Sequence, residues 1–546
     1  MTRAISFSLV VFALVISPAA QAQTPLRDVI DRHVQAKWKE KRIAPSPPTN
    51  DGAFLRRIYL DLCGTIPTAD EARAFLDDDD PQKREKLIDQ LLKDPRCAQH
   101  QADVWDMIYF GRNPPGYKTN ERQGFQNWLR EQFAKNTPYD VIARAILKAE
   151  GNSAEDGAPM FFVQYKGKPE DATEKITQTF LGVQLQCARC HDHPFEAWSQ
   201  EDFYATAAFF ARLDVVDVGK KNNETGWAIG EKNVGEVNFT GPVSEDEPGK
   251  KGIPVAPRFL HGDPLEEPET PEDAKEERFA NGKMPPAPKF SRKNAFADWV
   301  TADDNPYFAR AVANRVWAQF MGRGLVHPVD NMSESNDASH PALLDELEKQ
   351  LVDQDFDLRW YMRELVNSKT YQLSSLGEVA QERPRWFERG RTRPLSAEEL
   401  AETWRVATNY AAVDAKTAER LDKGDRFYPL TSGYHLTAFG KPTDGTGDFL
   451  GGMQEQLYMS NGGISKMFGN NAGGLLHTLA EAKKEASWKE RVELMYLTIL
   501  SRRPTTDESN KFVELFESMP DQNRPHDAVK DAMWVLMTCS EFRFNH

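Results

Sequence analysis

The sequence predicts a mainly α protein, two helical domains joined by an irregular, partly β connecting segment. Three observations carry this reading. Apolar residues recur at helical spacing through most of the chain on either side of residues 213–292. Two of these segments open on a residue able to cap a helix, with an acidic residue three positions on. Between 213 and 292 the periodicity gives way to Gly, Pro, Lys and Glu.

Residues 1–22 read as a signal peptide. Arg3 supplies the positive n-region, Ala4 to Ile16 the apolar h-region, and Ala20-Gln21-Ala22 the cleavage site. The run is short for a membrane span, and no other long apolar stretch follows. The expected address is therefore extracytoplasmic, periplasmic or secreted, with no transmembrane helix after cleavage.

The first domain, 23–212, shows helical periods in Phe54 to Leu62, Glu71 to Leu76 and Arg84 to Leu92, interrupted by Gly64, Pro67 and the acidic run Asp77 to Asp80. A further helix is expected from an Asp171 cap with Glu174 three residues on. Ile176, Phe180, Val183 and Cys187 would share one face of it and aim Cys187 at an apolar pocket. Ser199 with Asp202 marks another capping box and a helix from about Glu201 to Arg212. In the connecting segment, 213–292, Val234 to Phe239 suggests a short strand pair, and Glu266 to Glu277 reads as acidic and proline-interrupted. The second domain, 293–546, begins its periodicity at Asn305-Pro306, where Asn can cap and Pro suits the first turn. Phe308, Val312, Val316 and Phe320 form its stripe and Gly322 its stop. Further helices are expected at Pro341–Leu351, Leu358–Val366, Ala397–Tyr410, Trp488–Leu500, Glu508–Ser518 and Asp527–Cys539.

Chemistry concentrates in Cys187-Ala188-Arg189-Cys190-His191. C-x-x-C-H is the pattern by which c-type haem is attached: each thiol adds to one vinyl group, and the adjoining imidazole ligates the iron. A C-x-x-C pair is also a zinc or dithiol element, and both chemistries stay open. His193 has two readings, a haem-edge or structural residue, or a partner of Cys187, Cys190 and His191 in a zinc or non-haem iron site. The aromatic run Phe195, Trp198, Phe203, Tyr204, Phe209 and Phe210 could wall a macrocycle or simply fill a core. Cys63, Cys97 and Cys539 leave two options, a Cys63–Cys97 disulfide or free buried thiols.

Composition limits the partners. With 68 Lys and Arg against 83 Asp and Glu the formal charge is −15, and −16 once Arg3 leaves with the signal. An acidic surface argues against nucleic acid and anionic membrane. No Walker loop, G-x-S-x-G or H-E-x-x-H occurs.

Two sets of runs carry a family resemblance. Arg56-Arg57-Ile58-Tyr59-Leu60-Asp61-Leu62 with Gly64 and Pro67, and Phe180-Leu181-Gly182-Val183-Gln184 through Cys187 to Phe195, closely resemble the planctomycete secreted cytochrome-like domain, the domain of unknown function numbered fifteen-forty-nine. The second half resembles its usual partner, numbered fifteen-fifty-three. The runs are Asn305 to Arg310, Asn314-Arg315-Val316-Trp317, Gly322 to Val326, Ser339-His340-Pro341, Tyr371 to Ser375 and Ser540 to His546. The resemblance implies a secreted protein and attaches no reaction to it, so function has to be argued from the site.

The expected cofactor is one covalent haem c per chain on Cys187 and Cys190, with His191 as axial ligand; zinc or non-haem iron through His191 and His193 is the alternative. Met284 is the first candidate for the sixth position, because Lys283-Met284-Pro285-Pro286 resembles the Met-Pro segment of small c-type cytochromes, with Met160 and His261 behind it. Arg310, Asn314, Arg315, Asp330 and His340 read either as a polar cleft or as buried caps and ion pairs. The function expected is electron transfer or another redox role in the cell envelope, served by a redox partner protein or an envelope component. An extracytoplasmic haem- or metal-dependent enzyme, for example on polysaccharide, and a non-catalytic envelope scaffold are the other readings.

Overall fold

The computed structural model describes residues 24–111, 122–221, 224–239, 252–269, 279–377, 384–410, 469, 472–483, 485–518 and 526–546. The signal segment and most of Glu266 to Glu277 lie outside the described residues. The protein is mainly α-helical, with three small sheets among the described residues.

Local rules place the helices. Asn50 caps Asp51–Cys63 through the Ala53 amide, and Gly64 closes it in the left-handed region at φ 64°. Thr68 and Glu71 form a capping box at the head of Ala69–Asp77, and Asp94 with Pro95 opens Pro95–Phe110. Ser396 with Glu399 and Ser487 with Glu490 do the same for Ala397–Thr408 and Trp488–Leu500. Helix Phe308–Met321 ends at Gly322, φ 72°, as expected. Asn305 does not stand at its N-cap: its side chain instead accepts the Tyr307 and Phe308 amides from one turn upstream, 3.0 Å each.

The connecting segment departs from the expected pattern. It opens with an antiparallel hairpin, and a third strand joins from the first domain: β1 (Gly151–Asn152), β2 (Leu213–Lys221) and β3 (Glu224–Glu231), ordered β1-β3-β2. The strand expected at Val234 to Phe239 shrinks to Asn238–Phe239, paired with Ile253–Pro254. The hairpin hides its period because Val215 and Val216, neighbours on opposite faces, are both buried, as are Ala228 and Ile229.

The apolar core is continuous across the connecting segment. One cluster runs from Leu26 and Trp105 through Phe161 and Phe180 to Trp317, Leu344 and Tyr361. A second is built on Leu400, Trp404, Val492, Ile499, Met533 and Phe542. Helix Asp51–Cys63 joins them. Phe54, Ile58 and Leu62 lie in the first cluster and Leu60 in the second, and every residue from Phe54 to Cys63 is buried. A helix buried on all faces must find internal partners for Arg56, Arg57 and Asp61.

Candidate functional site

The segment bearing the two thiols is shaped by an interrupted helix. Helix Pro169–Ile176 begins on its proline and widens into a π turn at Thr177–Leu181, which Gly182 ends at φ 68°. A π turn leaves backbone carbonyls looking for donors. Arg315 Nη2 supplies one, 3.0 Å from the Gln178 oxygen and 3.4 Å from that of Thr179. Gly182 is required here twice over: its φ is positive, and a Cβ would stand 3.2 Å from the Ala311 methyl and 3.3 Å from Met332 Cγ. Its carbonyl accepts the Met332 amide at 2.8 Å.

Beyond Gly182 the chain turns once more as a 3₁₀ helix, Gln186–Arg189. Cys187 is therefore not on the face of a continuous helix, and among the described residues no apolar pocket covers it: Cys187 and Cys190 are both exposed free thiols, while Ala188 between them is fully buried. Asp171 and Glu174 do not cap, either. Both hold Arg189 Nη1 at 3.0 Å, and Lys168 occupies the N-cap position. On the other side, Gln200 Nε2 and Tyr204 Oη donate to the Arg189 carbonyl, both at 3.2 Å, and Asp192 accepts the Gln200 amide at 2.8 Å. The thiol turn is thus clamped between helix 169–176 and helix Gln200–Ala207, whose Ser199–Asp202 capping box forms as expected.

The two histidines are set in opposite tautomers. His191 is exposed, and its Nδ1 lies 2.7 Å from the Asp192 carbonyl oxygen. A carbonyl only accepts, so Nδ1 carries the proton and Nε2 keeps a free lone pair. His193 Nδ1 instead accepts the backbone amides of Phe195 at 3.3 Å and Glu196 at 3.0 Å, which assigns its proton to Nε2. His193 N also donates to the Trp198 carbonyl at 2.8 Å. His193 is the pin of this loop, and its ring has no lone pair left for a metal ion. Among the described residues no group of three or more His, Cys, Asp or Glu side chains converges as a metal site.

The aromatic run divides between core and surface. Phe203, Phe209 and Phe210 are buried; Phe209 and Phe210 pack on Phe296 at 5.0 and 5.2 Å. Trp198 is buried and stacks on His261 at 4.3 Å, whose Nδ1 meets Tyr307 Oη at 3.2 Å. Phe195 alone of the run stands free, 81% exposed. These rings fill a core rather than line a crevice at the thiols. The Trp198 contact brings His261 to the motif loop. Met160 is buried in the core, and Met284 is half exposed on a loop whose Pro285 packs over Gly230 of β3. A further contact ties the loop to the second half: Glu196 accepts from Ser335 Oγ, and although burial works against it, the Ser335 and Ser333 hydroxyls hold this carboxyl below its usual range.

The five polar residues of the second half do not form one cleft. Arg310 pairs with Asp345 and Glu348 on helix Pro341–Asp353. Asn314 staples the Val326 backbone through both its amide groups. His340 is buried beside Trp386 and Phe387, with Ser339 Oγ 2.9 Å from Nδ1. Only Arg315 and Asp330 face the motif segment, Arg315 at the π turn and Asp330 accepting from Gln184 at 3.0 Å. Near them Lys175 donates to the Ile108 carbonyl at 2.6 Å, and burial with Arg315 lowers it to about 8.

Residues whose role the sequence did not disclose meet elsewhere. Asp61, at the centre of the buried helix, accepts from Tyr371 Oη at 2.8 Å, Arg393 Nη2 at 2.9 Å and Asn545 Nδ2 at 2.7 Å. Burial raises its carboxyl in spite of these partners. Arg57 binds the Tyr371 and Leu373 carbonyls, and Arg56 those of Ile499 and Phe542. Three runs that carry the family resemblance, around 56–62, 371–375 and 540–546, thereby converge on one buried polar node. Charges inside an otherwise apolar helical period were the available signal.

No curated protein and no solved structure matches the chain. Residues 29–215 match PSCyt2, a protein of unknown function (DUF1549), and residues 292–419 match PSD1, a protein of unknown function (DUF1553). The motif turn lies in the first match, and the helix that supplies Arg315 lies in the second. The chain thus carries a stretch that matches the DUF1549 model followed by one that matches the DUF1553 model.

Proposed function

We propose that this is an extracytoplasmic c-type haem protein with a redox role in the cell envelope, holding one haem covalently through Cys187 and Cys190 with His191 Nε2 as axial ligand. The observation that carries the reading is the contrast between the two histidines. His191, the residue the motif requires as ligand, is the one with a free Nε2 lone pair, and its Nδ1–H is oriented by a backbone carbonyl as ligating histidines commonly are. His193 is committed to the loop backbone. Both thiols are accessible on a turn that two flanking helices hold rigid. Phe195 adds exposed apolar surface in the same loop. When bound, haem would supply a one-electron couple. The chain's own contribution is to present two thiols and one oriented imidazole on a turn whose intervening Ala188 is buried.

The test is a pyridine haemochrome spectrum, with metal analysis, on protein secreted by a host that has cytochrome c maturation machinery. One covalent haem per chain is expected, lost in Cys187→Ser and Cys190→Ser. His191→Ala should keep the covalent bonds and change the iron's ligation. His193→Ala should retain haem and lose stability. A secreted, folded protein without a Soret band rejects the proposal.

A further inference from the structure

Cys63 ends helix Asp51–Cys63, and Cys97 sits in the first turn of helix Pro95–Phe110. Both are free thiols, 6% and 4% exposed, and they are the two cysteines of the larger apolar cluster. Two contacts set the register of the helices around them. Arg96, the residue before Cys97, lays its guanidinium over the Tyr59 ring at 5.4 Å, and Tyr59 stands one turn before Cys63. Gly64 follows Cys63, and His100 lies one turn after Cys97; a Cβ on Gly64 would stand 2.4 Å from His100 Nδ1. Each cysteine is thus bracketed by residues that touch those bracketing the other. Their nearness also shows in proton affinity: burial raises the Cys63 thiol well above its usual range, and Cys97 raises it further. The other cysteines lie elsewhere. Cys539 packs with the second cluster and donates to the Leu536 carbonyl at 3.1 Å, while Cys187 and Cys190 are exposed on the motif turn.

We propose that Cys63 and Cys97 join in a disulfide as the chain folds in an oxidising compartment, cross-linking the helix that stitches the two apolar clusters to helix Pro95–Phe110. A disulfide needs its Cα atoms about 4.4–6.8 Å apart, and Gly64, with no side chain beside Cys63, lets the two helices approach. Two thiols give up two protons and two electrons, one S–S bond forms, and the oxidant, itself a disulfide, leaves as two thiols. Neighbouring thiols stay reduced in a cytosol and are oxidised outside it. The thiolate is the reacting species, and burial pushes the Cys97 thiol up to about 12. Exchange in the folded protein is therefore slow: the bond forms while the helices are still closing, and is afterwards shielded from reductant. It stabilises by constraining the unfolded chain. The cross-link rests on the extracytoplasmic address proposed above and is independent of haem.

The test is a tryptic map of the full chain, denatured in urea with iodoacetamide and digested without reduction. It is made on protein exported by the producing host and on protein refolded from the reduced, denatured state in a mixture of reduced and oxidised glutathione. Peptide 58–73, which holds Cys63, is expected joined to peptide 97–112, which holds Cys97, at their summed mass less two hydrogens; reduction should separate them. Cys97→Ala should leave Cys63 alkylated, with no bond transferred to Cys539. The joined pair in exported protein supports both the cross-link and the address. The pair formed on refolding but absent from protein made in the cell supports the cross-link and rejects the address. Alkylation of Cys63 and Cys97 in both preparations, or a bond from either one to Cys539, Cys187 or Cys190, would overturn the proposal.

Discussion

At the residue scale, burial of a titratable group decides what pH does to this protein. His340 begins helix Pro341–Asp353 and packs against Trp386 and Phe387; burial, with Lys37, His33 and Arg385 nearby, pushes its imidazole down to about 4 against only Glu40. Its folded value is thus below its unfolded one. Between about pH 6.5 and 4 the unfolded chain binds the extra proton, so the stability His340 contributes is complete above that window and is lost as pH falls through it, by about 3 kcal/mol at most. Urea midpoints measured at pH 7.5 and 4.5 should show a drop that His340→Gln makes smaller. An unchanged drop would place the acid lability elsewhere. The sequence showed His340 entering a helix before a proline, which holds, but not the pocket that the distant Trp386 and Phe387 close around it and that sets its proton affinity.

At the scale of elements, reading was reliable where a helix obeys its own caps and failed where another element intervened. The Ser199–Asp202 box is local and forms as read, with the Ser199 hydroxyl 2.7 Å from Asp202 Oδ2. Asp171 and Glu174 show the same spacing, yet Arg189 claims both, because a guanidinium folded back from the thiol turn offers charge-assisted bonds that a cap does not. The π turn also had no local signal; Arg315 and Met332, more than 130 residues away, satisfy the backbone of that turn and of Gly182 at its end. Ser199→Ala is expected to cost about 1 kcal/mol, read as a shifted urea midpoint with unchanged slope. A loss within error would mean that Gln200 and Asp192 hold this helix end without the cap.

For the whole molecule, the helix Asp51–Cys63 stitches two apolar clusters, and its charges tie down both later parts of the chain. Asp61→Ala removes the acceptor for Tyr371, Arg393 and Asn545 and should destabilise by about 3–5 kcal/mol, seen in urea as one transition at lower midpoint. A second, separate transition would show that the two clusters unfold independently. Surface placement of charge has no such leverage: exposed pairs such as Lys349–Asp353 are screened by solvent and contribute little to stability.

The amino-acid sequence by itself determined the helical class, the Ser199–Asp202 cap and the Gly322 stop, the domain order and the identity of the C-x-x-C-H turn, because each depends on its own stretch of chain. It placed Cys187, Cys190 and His191 in one pentapeptide, and a pentapeptide keeps its members together in any fold. Only the tertiary structure decided that the thiols face outward, that His191 and His193 take opposite tautomers, and that Arg310, Asn314 and His340 go their separate ways while Arg315 reaches the motif segment. Those outcomes depend on which distant carbonyl, amide or carboxylate a side chain meets, and burial makes each such meeting decisive because an unpaired polar group away from water is too costly to leave.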